Sequence, residues 1–156
     1  MMSDVKIVSL LPSATELVYA LGRGDDLVGV TFECDFPADA RTKRIVSTSA
    51  LPEGLSPAEI DQVVRERIAA GEDLYRLDAG ALRDVNPDVI LTQDLCAVCA
   101  VDVARVDDAL DYLGCTAQVI TLDPRSLNEV LGTVVQVGDV LGAQDEAASF
   151  VDAARV

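Results

Sequence analysis

Apolar runs of strand length alternate with capped, helix-period segments along the whole chain, and that alternation restricts it to a mainly parallel sheet covered by helices. Strands are expected at Val5–Leu11, Leu27–Phe32, Arg44–Ser47, Asp88–Thr92 and Gln118–Leu122. Helices fall between them. The first spans Ser13 to about Leu21, where Gly22 permits a left-handed C-cap. Ser56-Pro57-Ala58-Glu59 opens a second helix with a capping box and Pro at its first position, running to about Ala70. A short helix at Ala81–Val85 is closed by Asn86-Pro87, and further helices are expected at Val103–Leu113 and Ser126–Leu141. In the last of these, Ser126 and Glu129 form another capping box. Gln144 to Val156 carries Ala147, Phe150, Val151 and Ala154 on one face. That apolar stripe at the end of the chain fits either ordinary docking or a partner that covers it.

The stretch Val5 to Glu16, VKIVSLLPSATE, passes directly from strand to helix. Ser13 is expected as N-cap with Glu16 completing an S-x-x-E capping box, which leaves backbone N–H groups facing the end of the strand. In open α/β sheets ligands bind outside the carboxyl ends of the strands, where such turns line a crevice. A well-capped helix packed on the sheet would read the same way locally.

Composition removes several function classes. The 156 residues suffice for one core. Lys plus Arg number 12 against 27 Asp plus Glu, a net charge of −15, which disfavours nucleic acid and anionic membrane surfaces. Only Lys6 and Lys43 are lysines, a bias suited to concentrated salt. No basic region followed by a long apolar segment precedes the first strand, so the chain as written reads as cytoplasmic, and no run reaches the ~20 residues of a spanning helix. Histidine is absent, which removes the commonest general base and zinc ligand. The glycine-rich nucleotide motifs and the nucleophile elbow are missing too.

Thiols are the remaining chemistry. Leu91 to Ala100 leads from a strand into a C-x-x-C loop, Cys96-Ala97-Val98-Cys99, and Cys34 follows the second strand at the same carboxyl edge. Three sulfurs at one edge could hold zinc or an iron–sulfur cluster, with Glu33, Asp35 or a bound ligand as fourth donor. Cys115 begins a strand at the opposite edge. A redox pair, or small thiols buried as apolar residues, are the other readings. Asp107, Asp108 and Asp111 are expected as a solvated acidic face.

The order Ile7-Val8-Ser9-Leu10-Leu11-Pro12-Ser13-Ala14-Thr15-Glu16-Leu17, then Leu27-Val28-Gly29-Val30-Thr31, Cys34-Asp35-Phe36-Pro37 and Asn86-Pro87-Asp88-Val89-Ile90-Leu91, resembles the amino-terminal lobe of the helical-backbone (class III) substrate-binding proteins of ABC importers for vitamin B12 and iron chelates. Its cobalamin-binding members are further similar in Thr92-Gln93-Asp94-Leu95-Cys96-Ala97-Val98-Cys99-Ala100-Val101. The resemblance implies two α/β lobes joined by a long helix, with ligand held between them at the strand ends. On it, residues 1–143 form a three-layer α/β/α lobe, 144–156 begin the inter-lobe helix, and the second lobe is absent from this chain. It implies an extracytoplasmic place and an ABC permease as partner. Position 49 is Ser where corrin-holding relatives often carry an aromatic, and Gly80 stands where the family has a permease-docking glutamate, leaving Asp78 or Glu72 nearby.

The expectation is therefore capture without catalysis of a corrinoid or related metal chelate, with no required cofactor. Its contacts are Pro12, Ser13, Ala14, Phe32, Glu33, Cys34, Phe36, Ser49, Asp94, Cys96 and Cys99, and lobe closure excludes water. The alternative is a cytoplasmic metal-binding or redox protein in which Cys34, Cys96 and Cys99 hold zinc or an iron–sulfur cluster. A third reading is an interaction module whose terminal helix joins a partner, either the missing lobe or a second copy.

Overall fold

The computed structural model describes residues 5–93, 106–108, 110–111 and 116–155. Six strands form one sheet: β1 (Ile7–Ser9), β2 (Leu27–Thr31), β3 (Arg44–Ser49), β4 (Tyr75–Leu77), β5 (Val89–Thr92) and β6 (Gln118–Thr121). Their order is β4-β3-β2-β1-β5-β6. All neighbours are parallel except β3 and β4, which run antiparallel with Ser49 opposite Tyr75. The expected strands are present, each placed within about three residues of expectation. β4 is an addition. Three residues are too few to show a period, and Gly71 and the turn after it mask the short Leu74-Tyr75-Arg76-Leu77 alternation.

The pleat divides the core. Ile7, Val89 and Leu91 point to one face, where α1 (Pro12–Ala20), α4 (Leu127–Leu141) and α5 (Gln144–Ala154) bury Val18, Val137 and Val151 against them. Val8, Val46 and Ile90 point to the other, covered by Leu82 of α3 (Ala79–Val85) and by Val106 and Leu110. This is the expected three-layer α/β/α arrangement. Residues 106–108 and 110–111 are helical and Asp107, Asp108 and Asp111 are exposed, in keeping with a solvated face; the other residues of the expected Val103–Leu113 helix lie outside the described residues.

The helix ends follow their sequence signals with two corrections, at the Ser126–Glu129 box and at the start of α1. In α2 (Pro57–Ala70) Ser56 accepts from Glu59 N, and Glu59 accepts from Ser56 N at 2.8 Å, a full capping box. Ser126 caps α4 by accepting from Glu129 N, but the Glu129 carboxylate takes the N–H of Arg125, at 2.6 Å, instead of the cap residue's own. At α1 the expected box does not form: the helix starts one residue early at Pro12, Leu11 is the N-cap, and no side chain caps it. Proline already has helical φ and no N–H to satisfy, so it takes the first position and carries Ser13 into the first turn. The helix α2 buries no residue fully and leaves Ile60 and Ile68 exposed.

Candidate ligand site at the carboxyl edge

The sheet order reverses between β1 and β5: the chain leaves β1 towards β2 on one side and returns on the other. Loops after adjacent strands then diverge, one above each face, and open a crevice at this switch point. A cavity of about 850 Å³ occupies it. Leu11, Pro12, Ser13 and Ala14 line it after β1, Gln93 after β5, and Leu122 and Pro124 after β6, with Phe36 and Pro37 from the loop that follows β2. Its far side runs between α1 and α4 to Phe150 of α5.

The uncapped start of α1 gives this crevice its polarity. Ser13 and Ala14 occupy the first turn, where backbone N–H groups have no intrahelical acceptor and the helix dipole is positive. With no acidic residue in that turn, a ligand acceptor group or carboxylate finds both donors and field.

Buried hydroxyls hold the strand ends in place. Ser9 donates to Leu11 O at 2.9 Å, and Ser47 donates to Thr31 Oγ1 at 2.7 Å. The loop after β2 is tied to α1 twice. Thr15 donates to Cys34 Sγ at 3.0 Å in the core, and Tyr19 OH donates to Asp39 Oδ2 at 2.7 Å at the surface. Desolvation, then the bond to Asp39, pushes the Tyr19 phenol well above its usual range; the same bond, followed by Lys43, holds Asp39 below the usual carboxylate range. Lys43 completes the strut by donating to Gly24 O at 3.0 Å.

A second group lies over β2, β3 and β4. Phe32 and Tyr75 rings sit 6.3 Å apart at 48°, and Tyr75 OH donates to Glu33 Oε2 at 3.1 Å. Tyr75 stands opposite Ser49 in the ladder. An aromatic side chain thus stands on the strand beside position 49. Sequence reasoning missed Tyr75 with its strand; the Tyr-Arg-Leu alternation between Gly71 and the Asp78 cap was the available signal. It also missed Leu122, the last residue of an expected strand, and Gln93 and Pro124, which lie just past the ends of expected strands.

Of the expected contacts, Pro12, Ser13, Ala14 and Phe36 line the cavity, and Phe36 is 64% exposed. Phe32 and Glu33 belong to the aromatic group, and Ser49 Oγ accepts from Leu51 N at 3.0 Å, closing the turn after β3. Cys34 follows β2 as expected but turns inward: it is 3% exposed, packs in the core beneath α1, and does not line the cavity. Burial pushes its thiol up, away from the thiolate a metal would need, although the Thr15 bond opposes this. Asp94, Cys96 and Cys99, like Cys115, lie outside the described residues. Among the described residues no three His, Cys, Asp or Glu side chains gather as a metal site. Near Gly80, the Asp78 carboxylate is engaged as the α3 cap, accepting from Ala81 N at 2.9 Å.

The geometry matches known proteins along nearly the whole chain. A Bacillus subtilis protein, the uncharacterized ABC transporter substrate-binding lipoprotein YvrC, is 27% identical over 147 residues, which cover 94% of this chain and 37% of that protein. A periplasmic heme-binding protein from Pseudomonas aeruginosa superposes with a TM-score of 0.68 at 20% identity over 96% of this chain and 43% of its own. The fold is that of one periplasmic-binding-protein lobe. The vitamin B12-binding protein BtuF and the heme-binding protein HutB, both periplasmic and from Vibrio cholerae, give TM-scores of 0.60 and 0.65 at 21% and 20% identity. They are covered over 46% and 47% of their lengths, by 93% and 98% of this chain. No protein-family model matches. The resemblance to class III binding proteins of ABC importers thus holds in sequence and in fold, and these relatives are binding proteins. The chain spans less than half the length of each. Among the described residues no helix is long and apolar enough to cross a membrane.

Proposed function

We propose that this chain is the amino-terminal lobe of an ABC-importer substrate-binding protein and supplies half of a cleft for a corrinoid or a related flat metal chelate. The observation that carries the reading is the pairing, at one sheet edge, of an uncapped helix N-terminus with Phe32, Phe36 and Tyr75. Backbone donors and a positive dipole suit acceptor groups at a chelate's periphery, and aromatic faces suit its ring plane. Heme- and B12-binding neighbours with the same fold support that ligand class. The second lobe would close over the edge and exclude water. An ABC permease would take the loaded protein, outside the cytoplasm.

The cysteine-metal alternative draws no support from the binding-protein relatives, and Cys34 faces the core. Titration of cyanocobalamin and hemin, followed by absorbance and calorimetry, tests the proposal. This chain alone should bind weakly, and a version carrying a second lobe at least about tenfold more tightly, a difference of about 1.4 kcal/mol. Tyr75→Ala should weaken the two-lobe affinity. Equal affinity with and without the second lobe would sink the clamp, and affinity indifferent to Tyr75→Ala would remove the aromatic rim from the site.

A further inference from the structure

The cavity continues beside α1, away from the strand ends, as a trough between helices. One wall is Ser13, Leu17 and Ala20; the other is Val130 and Thr133, with Phe150 at its end. Ser13, Leu17 and Ala20 recur at i, i+4 and i+7, so they form one row along α1, and Val130 and Thr133 form a shorter row on α4. Helices pack at interaxial distances of about 8–10 Å when the residues between them are small. The short side chains of Ser13, Ala20 and Thr133 give a third helix that approach. Val130 and Phe150 remain 44% and 41% exposed on the rim.

Charge selects the occupant. Among the described residues Glu16 is the one charged side chain lining the cavity, and no Lys or Arg does. Glu129 precedes Thr133, and Glu146 precedes Phe150, by one helical turn, and both are exposed. A second copy of the chain would bring another −15 to this acidic rim and be repelled. We propose that the trough between α1 and α4–α5 docks an amphipathic helix of a partner, with an apolar stripe in the trough and Lys or Arg along its flanks. The trough shares Ser13 with the proposed ligand edge but uses none of the Phe32–Tyr75 group, so peptide binding is tested without a chelate.

The probe is a fluorescent peptide of about four helical turns, with a Leu stripe at helical spacing and Lys flanks, compared with the same stripe flanked by Glu. Anisotropy titration against the 156-residue chain is repeated with Ala20→Trp, which fills the trough from an exposed position, and with Thr133→Lys; circular dichroism verifies that both variants fold. The Lys peptide should bind saturably and lose at least about tenfold in affinity with each variant, while the Glu peptide should not bind. Lys-peptide binding unchanged by Ala20→Trp would be general attraction to an acidic surface and would overturn the proposal. Equal binding of both peptides, or of neither, would do the same. So would a dimer in sedimentation that Ala20→Trp abolishes, since the occupant would then be a second copy.

Discussion

Two glycines in α4 make the packing of the cavity's far wall testable with one substitution. A Cβ on Gly138 would fall 2.5 Å from Ala147 Cβ and 3.1 Å from Ala143 O. Carbon atoms prefer about 3.5–4.0 Å, so α5, which carries Phe150 into the cavity wall, must shift by roughly an ångström. Gly132, six residues earlier on the same helix, would meet nothing within 4 Å. Replacing Gly by Ala in a helix gains about 1 kcal/mol, while overpacking a close contact costs about 1–3 kcal/mol. Gly132→Ala should therefore stabilise by up to about 1 kcal/mol, and Gly138→Ala should destabilise by up to about 2 kcal/mol net. For a domain of this size each kcal/mol moves Tm by about 2–4 °C, so thermal unfolding should separate the two variants in sign. Adding Ala147→Gly to Gly138→Ala removes the nearest clash and should show a favourable coupling in a double-mutant cycle. If Gly138→Ala raises Tm as much as Gly132→Ala, the helix crossing is not as close as described.

The Tyr19–Asp39 bond gives a pH signature. A carboxyl held below its usual range contributes stability that is present above the unfolded value and lost as pH falls through the folded one. Wild type should accordingly lose more Tm on acidification through that window than Tyr19→Phe, and parallel curves would contradict the strut. Cys34, with its thiol pushed up, should be alkylated far more slowly in the native chain than in denaturant, as read by peptide mass mapping; its contribution to stability declines as pH rises through the ordinary thiol range, where the unfolded chain ionises first. With a net charge of −15, Tm should climb as salt is raised from millimolar to about 1 M, where the Debye length is about 3 Å; a flat response would mean that self-repulsion is not a term in stability.

Most of the fold was legible because its signals are local and agree with one another. The Ser56 and Ser126 caps, the Gly71 and Gly142 stops and the buried Val89-Ile90-Leu91 run each specify an element without knowledge of its neighbours. What was not legible depends on pairing. β4 exists because β3 offers it a ladder, and three residues of Tyr-Arg-Leu carry no period of their own. Ser13 fits the capping pattern equally as N-cap or as a first-turn residue; Pro12 decides between them, and the sequence pattern weighed the side-chain box above the proline. The site followed the same division. The edge was predictable from strand direction, whereas Cys34 could point into the crevice or the core, and Thr15, nineteen residues away, settles it.

That Cys34–Thr15 contact bears on how a ligand would be sensed. Thr15 lies one residue beyond Ala14, whose backbone N–H belongs to the uncapped turn of α1, and Cys34 lies two residues before Phe36. The donors at the helix start and the aromatic on the loop are therefore joined through one buried hydrogen bond, backed at the surface by Tyr19 and Asp39. Rigid mutual placement lowers the ordering cost of binding, which is where preorganised sites gain affinity. Thr15→Val keeps the shape and removes only the donor. In the two-lobe protein it should weaken chelate binding mainly through faster dissociation, while leaving the Phe32–Tyr75 contact in place. A change confined to the association rate, or none, would mean that the helix start and the loop act independently.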